Sequence, residues 1–150
     1  MFARFIGVDV AKAKVDVFVS DTGEVLQVRN DERSLSRLVR KLDCTDALAV
    51  IDLTGGYEAV CVKTFHAAGV KVHRAEGRKV KAFMRATGQL AKTDAIDARA
   101  LADYGQRLQD RLALYAMIES VSSKTSVSTW RFGCFATRMR YSYISLFVHI

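Results

Sequence analysis

Proline is absent from this chain, and cysteine is scarce. An average proline usage of about 5% would give roughly seven prolines in a chain of this length. The three cysteines, Cys44, Cys61 and Cys134, are odd in number, widely spaced and never in a CxxC pair. This pattern argues against a disulfide framework or a structural zinc site. We expect a reducing compartment, and therefore a cytoplasmic location.

Long apolar runs are also lacking. No stretch of about 18 apolar residues is present, so we expect no transmembrane helix and no membrane partner. Near the start, Asp9 and Lys12 come too early to leave room for the apolar stretch of a signal peptide. Half of the residues are nonetheless hydrophobic, which is enough to bury a core and excludes wholesale disorder.

Acidic residues are in deficit. The chain has 23 Lys and Arg against 16 Asp and Glu, which gives a formal net charge of +7. Such a balance favours a polyanionic partner, of which nucleic acid is the most common, with an anionic membrane surface as the other standard interpretation.

The order of the predicted elements indicates an α/β domain. β-Branched and aromatic residues predict three early strands, and a Gly-containing turn favours antiparallel pairing. Alternating helices and strands follow, which is typical of a mixed sheet with flanking helices. The predicted strands are 4–10, 15–19, 25–29, 47–52 and 70–73, and the predicted helices are 31–42, 57–68, 78–86 and 94–114, the first capped by Asn30 or Asp31 and the last by Thr93.

The final segment has a different composition. Residues 118–150 contain seven serines, and their only acid is Glu119. No helical or strand period is visible before the apolar end. We therefore place a domain boundary at Met117/Ile118, which gives one domain at 1–117 and an atypical tail at 118–150. We interpret the tail as frameshifted or disordered.

Four carboxylates stand out by their positions. Asp9 lies within an apolar strand and Asp52 ends another, while Asp94 and Asp97 are three residues apart in the first turn of a predicted helix and so share a face. If they converge, a cation must neutralise them, and hard oxygen ligands suit Mg²⁺ or Mn²⁺. Two such ions support phosphodiester chemistry. Taken singly, Asp52 also fits a strand-ending cap and Asp94 a helix N-terminal charge.

Three segments carry a family resemblance. They are IGVDVAKAKVDVFV at 6–19, DLTGGYEAV at 52–60 and GQLAKTDAIDARALADYG at 88–105. In order and spacing they resemble the DEDD transposases of bacterial insertion sequences, which are related to Piv-type DNA invertases, and the similarity covers about residues 4–116. It implies a ribonuclease-H-like, RuvC-like catalytic domain.

The resemblance also implies roles for the four carboxylates. Its acidic metal ligands fall on Asp9, Asp52, Asp94 and Asp97. The second ligand is usually Glu in the family, and Asp52 is one methylene shorter. Mg²⁺ or Mn²⁺ as cofactor, DNA and an element-encoded guide RNA as partners, and a homo-oligomer are further implications.

Family members continue into a coiled coil and a second domain that carries a nucleophilic serine. Nothing in residues 118–150 resembles those parts. We therefore expect an incomplete transposase domain that is inactive alone.

A basic segment precedes the last two carboxylates. Residues 71–92 contain seven Lys or Arg and one acid, Glu76. Candidate phosphate contacts within it are Lys79, Lys81, Arg85 and Lys92. The simpler explanation of such a run is a solvated helix face.

Two other functions fit parts of the sequence. A non-catalytic remnant that binds nucleic acid or dimerises is compatible with the atypical tail. An actin-like sugar kinase fragment is compatible with the opening GxD strand and hairpin, although Val10-Ala11-Lys12 replaces the phosphate-binding Gly/Thr.

Overall fold

The computed structural model describes residues 1–42, 44–88 and 97–116. The predicted domain boundary at Met117/Ile118 and the tail beyond it therefore lie outside the described residues. Of the helices in the described ranges, none is long and apolar enough to cross a bilayer. The elements in chain order are β1 (Arg4–Val10), β2 (Lys14–Val19), β3 (Val25–Arg29), α1 (Glu32–Lys41), β4 (Ala47–Asp52), α2 (Ala59–Ala67), β5 (Lys71–Ala75), α3 (Gly77–Ala86), α4 (Ala98–Leu108) and a 3₁₀ turn (Gln109–Arg111).

The five strands form one mixed sheet in the order β3-β2-β1-β4-β5. The first three strands pair antiparallel, whereas β1, β4 and β5 run parallel. The central strands β1 and β4 are buried along nearly their whole length, because helices cover both faces of the sheet. The predicted α/β architecture with a mixed sheet is confirmed.

Two apolar cores lie on opposite faces of the sheet. On one face, Leu35 of α1 and Phe65 of α2 pack against β1 residues such as Ile6 and Val8. On the other face, Val80 of α3 and Leu101 of α4 pack with strand residues that include Phe5, Leu48 and Val50. The alternation of side chains along each strand therefore decides which helix layer a strand residue meets.

Helix α4 lies unusually close to β1. A Cβ atom on Gly7 would lie 1.8 Å from Ala98 O and 2.6 Å from Ala102 N, both of which are backbone atoms. On α4 itself, a Cβ on Gly105 would lie 2.5 Å from Val50 Cγ2. The two glycines thus allow the helix to rest on β1 at its start and on β4 near its end.

The predicted limits of the last helix are wrong. The helix was expected from Asp94 with Thr93 as its cap, but α4 begins at Ala98, and Asp97 is its N-cap with non-helical φ −112° and ψ 169°. Asp97 therefore precedes the helix rather than lying within its first turn. Thr93 and Asp94 lie outside the described residues.

The same helix also ends earlier than the expected Leu114. It stops at Leu108, and the chain passes through the 3₁₀ turn into an extended segment at 112–116. The Tyr115 N–H donates to Val72 O at 2.6 Å, and His73 Nδ1 lies 2.8 Å from Ala113 O. These contacts along the outer edge of β5 compete successfully with helix propensity.

We expect Gly7→Ala to destabilise the protein by about 3 kcal/mol, because the new methyl meets backbone atoms that cannot rotate away. Urea unfolding measures the change. Gly69→Ala is the control, since Gly69 has φ 82° and open space around it, so that only the left-handed backbone opposes the change, at about 1 kcal/mol. A loss at Gly7 no larger than that at Gly69 would contradict the close contact.

Candidate active site

Asp9 and Asp52 lie side by side at the carboxyl ends of the central strands β1 and β4. In the parallel register of β1 and β4, Val8 pairs with Ile51, so the next residues, Asp9 and Asp52, come level at the carboxyl ends of neighbouring strands. Side-chain alternation puts Asp9 on the face of Gly7, which is the face that α4 covers.

Asp97 is brought toward the same point by α4. Its Oδ1 accepts a hydrogen bond of 2.7 Å from Ala100 N, which fixes the carboxylate at the start of the helix. Burial is the largest cause of the raised pKa of Asp9, and because the α4 backbone rests on Gly7, two residues before Asp9, the Asp97 charge adds to it. The predicted convergence of the first and last acidic residues therefore has a geometric basis, although Asp97 is an N-cap and not a first-turn residue.

A further carboxylate lies opposite Asp9. Asp16 of β2 pairs with Asp9 in the antiparallel register. It is partly neutralised, because it accepts a hydrogen bond of 2.5 Å from Gln27 and forms an ion pair of 3.2 Å with Lys14. Only the strand register reveals the proximity of Asp16 to the site.

The negative charges of Asp9 and Asp52 are energetically unfavourable. Burial raises the pKa of Asp9 above its ordinary value, and repulsion from Asp52, Asp16 and Asp97 raises it further. Burial likewise raises the pKa of Asp52, and Glu58 adds to this, while the Leu53 N–H and the Lys81 ammonium act in the opposite direction. Both carboxylates would be stabilised by a cation placed between them.

The chemistry of these donors fits a hard divalent cation. Asp52 Oδ1 is buried without a hydrogen-bond partner, as is the hydroxyl of Thr54 two residues later. The Asp52 oxygen that lacks a hydrogen-bond partner and the neighbouring Asp9 carboxylate, whose pKa is also raised, form a suitable ligand pair for Mg²⁺ or Mn²⁺. Within the described ranges, however, no three His, Cys, Asp or Glu side chains are grouped closely enough to hold one ion. The fourth predicted ligand, Asp94, lies outside those ranges.

Glu58 is a structural residue of the site that sequence reasoning missed. Only 3% of it is exposed. Its Oε2 accepts from Gly56 N at 2.8 Å and from Thr54 N at 3.3 Å, and its Oε1 accepts from Arg74 Nη2 at 3.0 Å. Burial raises the pKa of Glu58, but the residue's own backbone N–H and these hydrogen bonds outweigh it and hold the pKa below its usual value.

The Glu58 network shapes the loop that follows Asp52. Gly55 and Gly56 have φ of 73° and 113°, so the chain turns sharply there. The turn delays the start of α2 to Ala59. An acid within the mostly apolar stretch 57–62 was the one available signal for this role.

The predicted phosphate-binding residues do not share one surface. Lys81 lies near enough to lower the pKa of Asp52, and Arg85, four residues later on α3, shares its face. Lys79 points elsewhere and forms an exposed ion pair of 2.8 Å with Glu76. Lys92 lies outside the described residues.

The sequence matches a known family over most of its length. Residues 6–125 fit the profile of the DEDD transposases of the IS110 type, which is described as a transposase. The chain belongs to this transposase family. The resemblance inferred from the three sequence segments is thus confirmed, and the reason for considering a sugar kinase is removed. A search of curated proteins gave no match.

Solved structures agree on the fold. A RuvC structure from Thermus thermophilus superposes with a TM-score of 0.53 and 13% identity, over 75% of this chain and 99% of RuvC. The T. thermophilus RuvC in complex with a Holliday junction substrate gives a TM-score of 0.50 at the same identity and coverage. The predicted RuvC-like, ribonuclease-H-like architecture is therefore confirmed.

We expect Asp9→Asn to raise the thermal midpoint by a few degrees at pH 7 in EDTA, because the amide removes a repelled charge. A carboxyl whose pKa is higher in the folded than in the unfolded protein lowers the stability of the protein as pH rises through the unfolded and then the folded pKa. The gain in thermal midpoint from Asp9→Asn should therefore vanish below pH 3.8, the ordinary pKa of Asp. Asp110→Asn, at an exposed position, is the control and should leave the midpoint unchanged. A destabilised Asp9→Asn protein at pH 7 would refute the repulsion.

Glu58→Gln should cost about 2 kcal/mol at pH 7, because it weakens three hydrogen bonds and leaves Arg74 unpaired. The lowered pKa of Glu58 means that its contribution is present above its ordinary value of 4.5 and is lost as pH falls through the folded pKa. Chemical unfolding at several pH values measures this difference. Glu76→Gln, which breaks an exposed pair, should have little effect, and equal losses in the two variants would count against the buried network.

Proposed function

We propose that this chain is a metal-dependent catalytic domain of a DNA transposase or recombinase that acts on phosphodiester bonds. In this proposal Asp9, Asp52, Asp94 and Asp97 bind Mg²⁺ or Mn²⁺. The observation that carries it is the position of Asp9 and Asp52, level at the carboxyl ends of adjacent parallel strands, with Asp97 at the start of the helix that covers them. Family membership and the RuvC-like fold agree with this chemistry.

Each residue of the site has a distinct part in the proposal. Divalent ions, when bound, would polarise the scissile phosphate and offset its charge. Asp97 keeps one oxygen on Ala100 N, which orients the carboxylate, while Asp52 presents an oxygen that has no protein partner. Glu58 holds the loop beside Asp52 in place. The shorter reach of Asp52 relative to the usual Glu would be met by a small backbone shift or by a bridging water.

DNA is the proposed substrate. One RuvC homologue in the comparison was solved with a Holliday junction substrate, and this chain is itself strongly basic. Lys81 and Arg85 would contact phosphates next to the carboxylates, with Lys92 and, after release from Glu76, Lys79. From the family we also carry over a guide RNA and a homo-oligomer as proposed partners.

These 150 residues are proposed not to complete transposition by themselves. In the family, the DNA strand is transferred to a serine of a second domain, and residues 118–150 contain no segment that resembles that domain. The chemistry proposed for this domain is therefore limited to binding and polarising the scissile phosphate.

A non-catalytic nucleic-acid-binding role is the second candidate. Two observations favour it: the described residues contain no group of three metal ligands within binding distance, and Asp52 replaces the usual Glu. Metal affinity separates this candidate from the catalytic one.

We expect the chain to bind Mn²⁺ and Asp97→Asn to bind it at least tenfold more weakly, as measured by titration calorimetry and by the Mn²⁺-induced rise in thermal midpoint. Asn still caps a helix, so α4 should form in the variant. Asp110→Asn should bind like the unmodified protein. Equal Mn²⁺ affinities for all three proteins would leave only the non-catalytic candidate.

A further inference from the structure

Helix α1 carries three arginines along one side. Arg33, Arg37 and Arg40 are spaced four and three residues apart, so they line up on the helix surface, and all three are exposed. The opposite side of α1 is buried in the core through Leu35 and Val39. We call the three arginines the α1 arginine stripe.

Within the part of the chain that the structure describes, no ion pair neutralises the stripe. Among the ion pairs formed by residues 1–42, 44–88 and 97–116, none involves a stripe arginine, and Arg40 Nε instead donates to Ser36 O at 3.2 Å. Like charges spaced four apart destabilise a helix, and Arg33, near the N-terminus, opposes the helix dipole. Arg40 lies in the last turn, where the helix dipole favours a cation, but local helix stability does not account for Arg33 or for its spacing from Arg37.

A groove continues from the stripe toward α2. It has a volume of about 590 Å³, and its walls include Arg40 from α1 and Lys63 from α2. The hydroxyl residues Ser36 and Thr64 also line it, together with the apolar residues Val39 and Val60, and among the described residues Glu32 is the one acid in its wall. Cations with neighbouring hydroxyls are the groups that proteins use to hold phosphate oxygens.

We propose that the α1 arginine stripe and this groove bind the phosphodiester backbone of a nucleic acid. The stripe spans about 10 Å along the helix axis, a length that contains about three phosphates of one strand. Helices α1 and α2 cover one face of the sheet and α4 the other, so this surface lies across the sheet from Asp9 and Asp52. The inference takes its ligand class from the proposed function and adds a second nucleic-acid segment to it.

The test compares the full chain with Arg33→Gln/Arg37→Gln/Arg40→Gln in binding to duplex DNA and to single-stranded RNA. Fluorescence anisotropy over a range of salt concentrations, in EDTA, gives the affinity and its salt dependence. Each lost phosphate contact lowers the slope of log K against log salt by about 0.9 for duplex DNA, so we expect a decrease of about 2 to 3. The nucleic acid whose slope falls identifies the source of the backbone.

A matched control removes the same charge elsewhere. In Lys71→Gln/Arg107→Gln/Arg111→Gln the net charge change is identical, but the positions lie on β5, α4 and the 3₁₀ turn, and we expect the slope to change by less than 1. The stripe variant should unfold at the same or a higher urea concentration, because it loses like-charge repulsion. Arg33→Lys/Arg37→Lys/Arg40→Lys should retain most of the binding.

Several results would overturn the proposal: an unchanged slope with both nucleic acids, an equal loss in the control, or equal competition by polyglutamate at the same charge concentration. The carboxylate site is tested by Mn²⁺ titration, whereas the stripe is tested in EDTA, where no divalent ion is available, so the two measurements are independent. Failure of Mn²⁺ binding would therefore contradict the catalytic proposal and leave the stripe intact.

Discussion

The contact between the backbone of α4 and Gly7 is the constraint on which the site depends. A side chain at Gly7 would push the helix away from β1, and Asp97, the N-cap of that helix, would move away from Asp9. The contact therefore couples packing to chemistry, because the residue that permits close helix-to-sheet approach lies two positions before the first carboxylate on the same strand face. This approach adds the Asp97 charge to the repulsion that Asp52 and Asp16 already exert on Asp9, and the burial of α4 residues such as Leu101 opposes its cost.

Two different solutions to buried negative charge occur within a few residues of each other. Glu58 is satisfied internally by two backbone N–H groups and a guanidinium, and its charge stabilises the fold. Asp52 keeps an oxygen without a partner and has a raised pKa. The protein could have satisfied both by the same means, and the difference is what sets Asp52 apart as a residue suited to a ligand outside the chain.

The sequence was sufficient for the architecture and for the first two carboxylates. The apolar runs at 4–10 and 47–52 identified two strands, and the carboxylates in or at the end of these runs singled out Asp9 and Asp52; that the two strands are neighbours comes from the structure. The predicted start of α4 is wrong because the periodic pattern continues through Asp94 and does not reveal that Asp97 is the N-cap of the helix. The roles of Gly7, Asp16 and Glu58 depend on contacts between distant segments, namely a helix on a strand, a strand register and a side chain bonded to its own loop, and none of these leaves a periodic signal.

The extended segment after the 3₁₀ turn has a consequence for how these molecules meet one another. β5 is the outer strand of its side of the sheet, and an outer strand with free backbone groups readily pairs with a strand from another chain. The Tyr115 N–H donates a hydrogen bond to the carbonyl of Val72, and the carbonyl of Ala113 lies within hydrogen-bond distance of His73 Nδ1. Residues 112–116 thus cover part of the free edge of β5. In this way the chain itself opposes edge-to-edge aggregation through that strand.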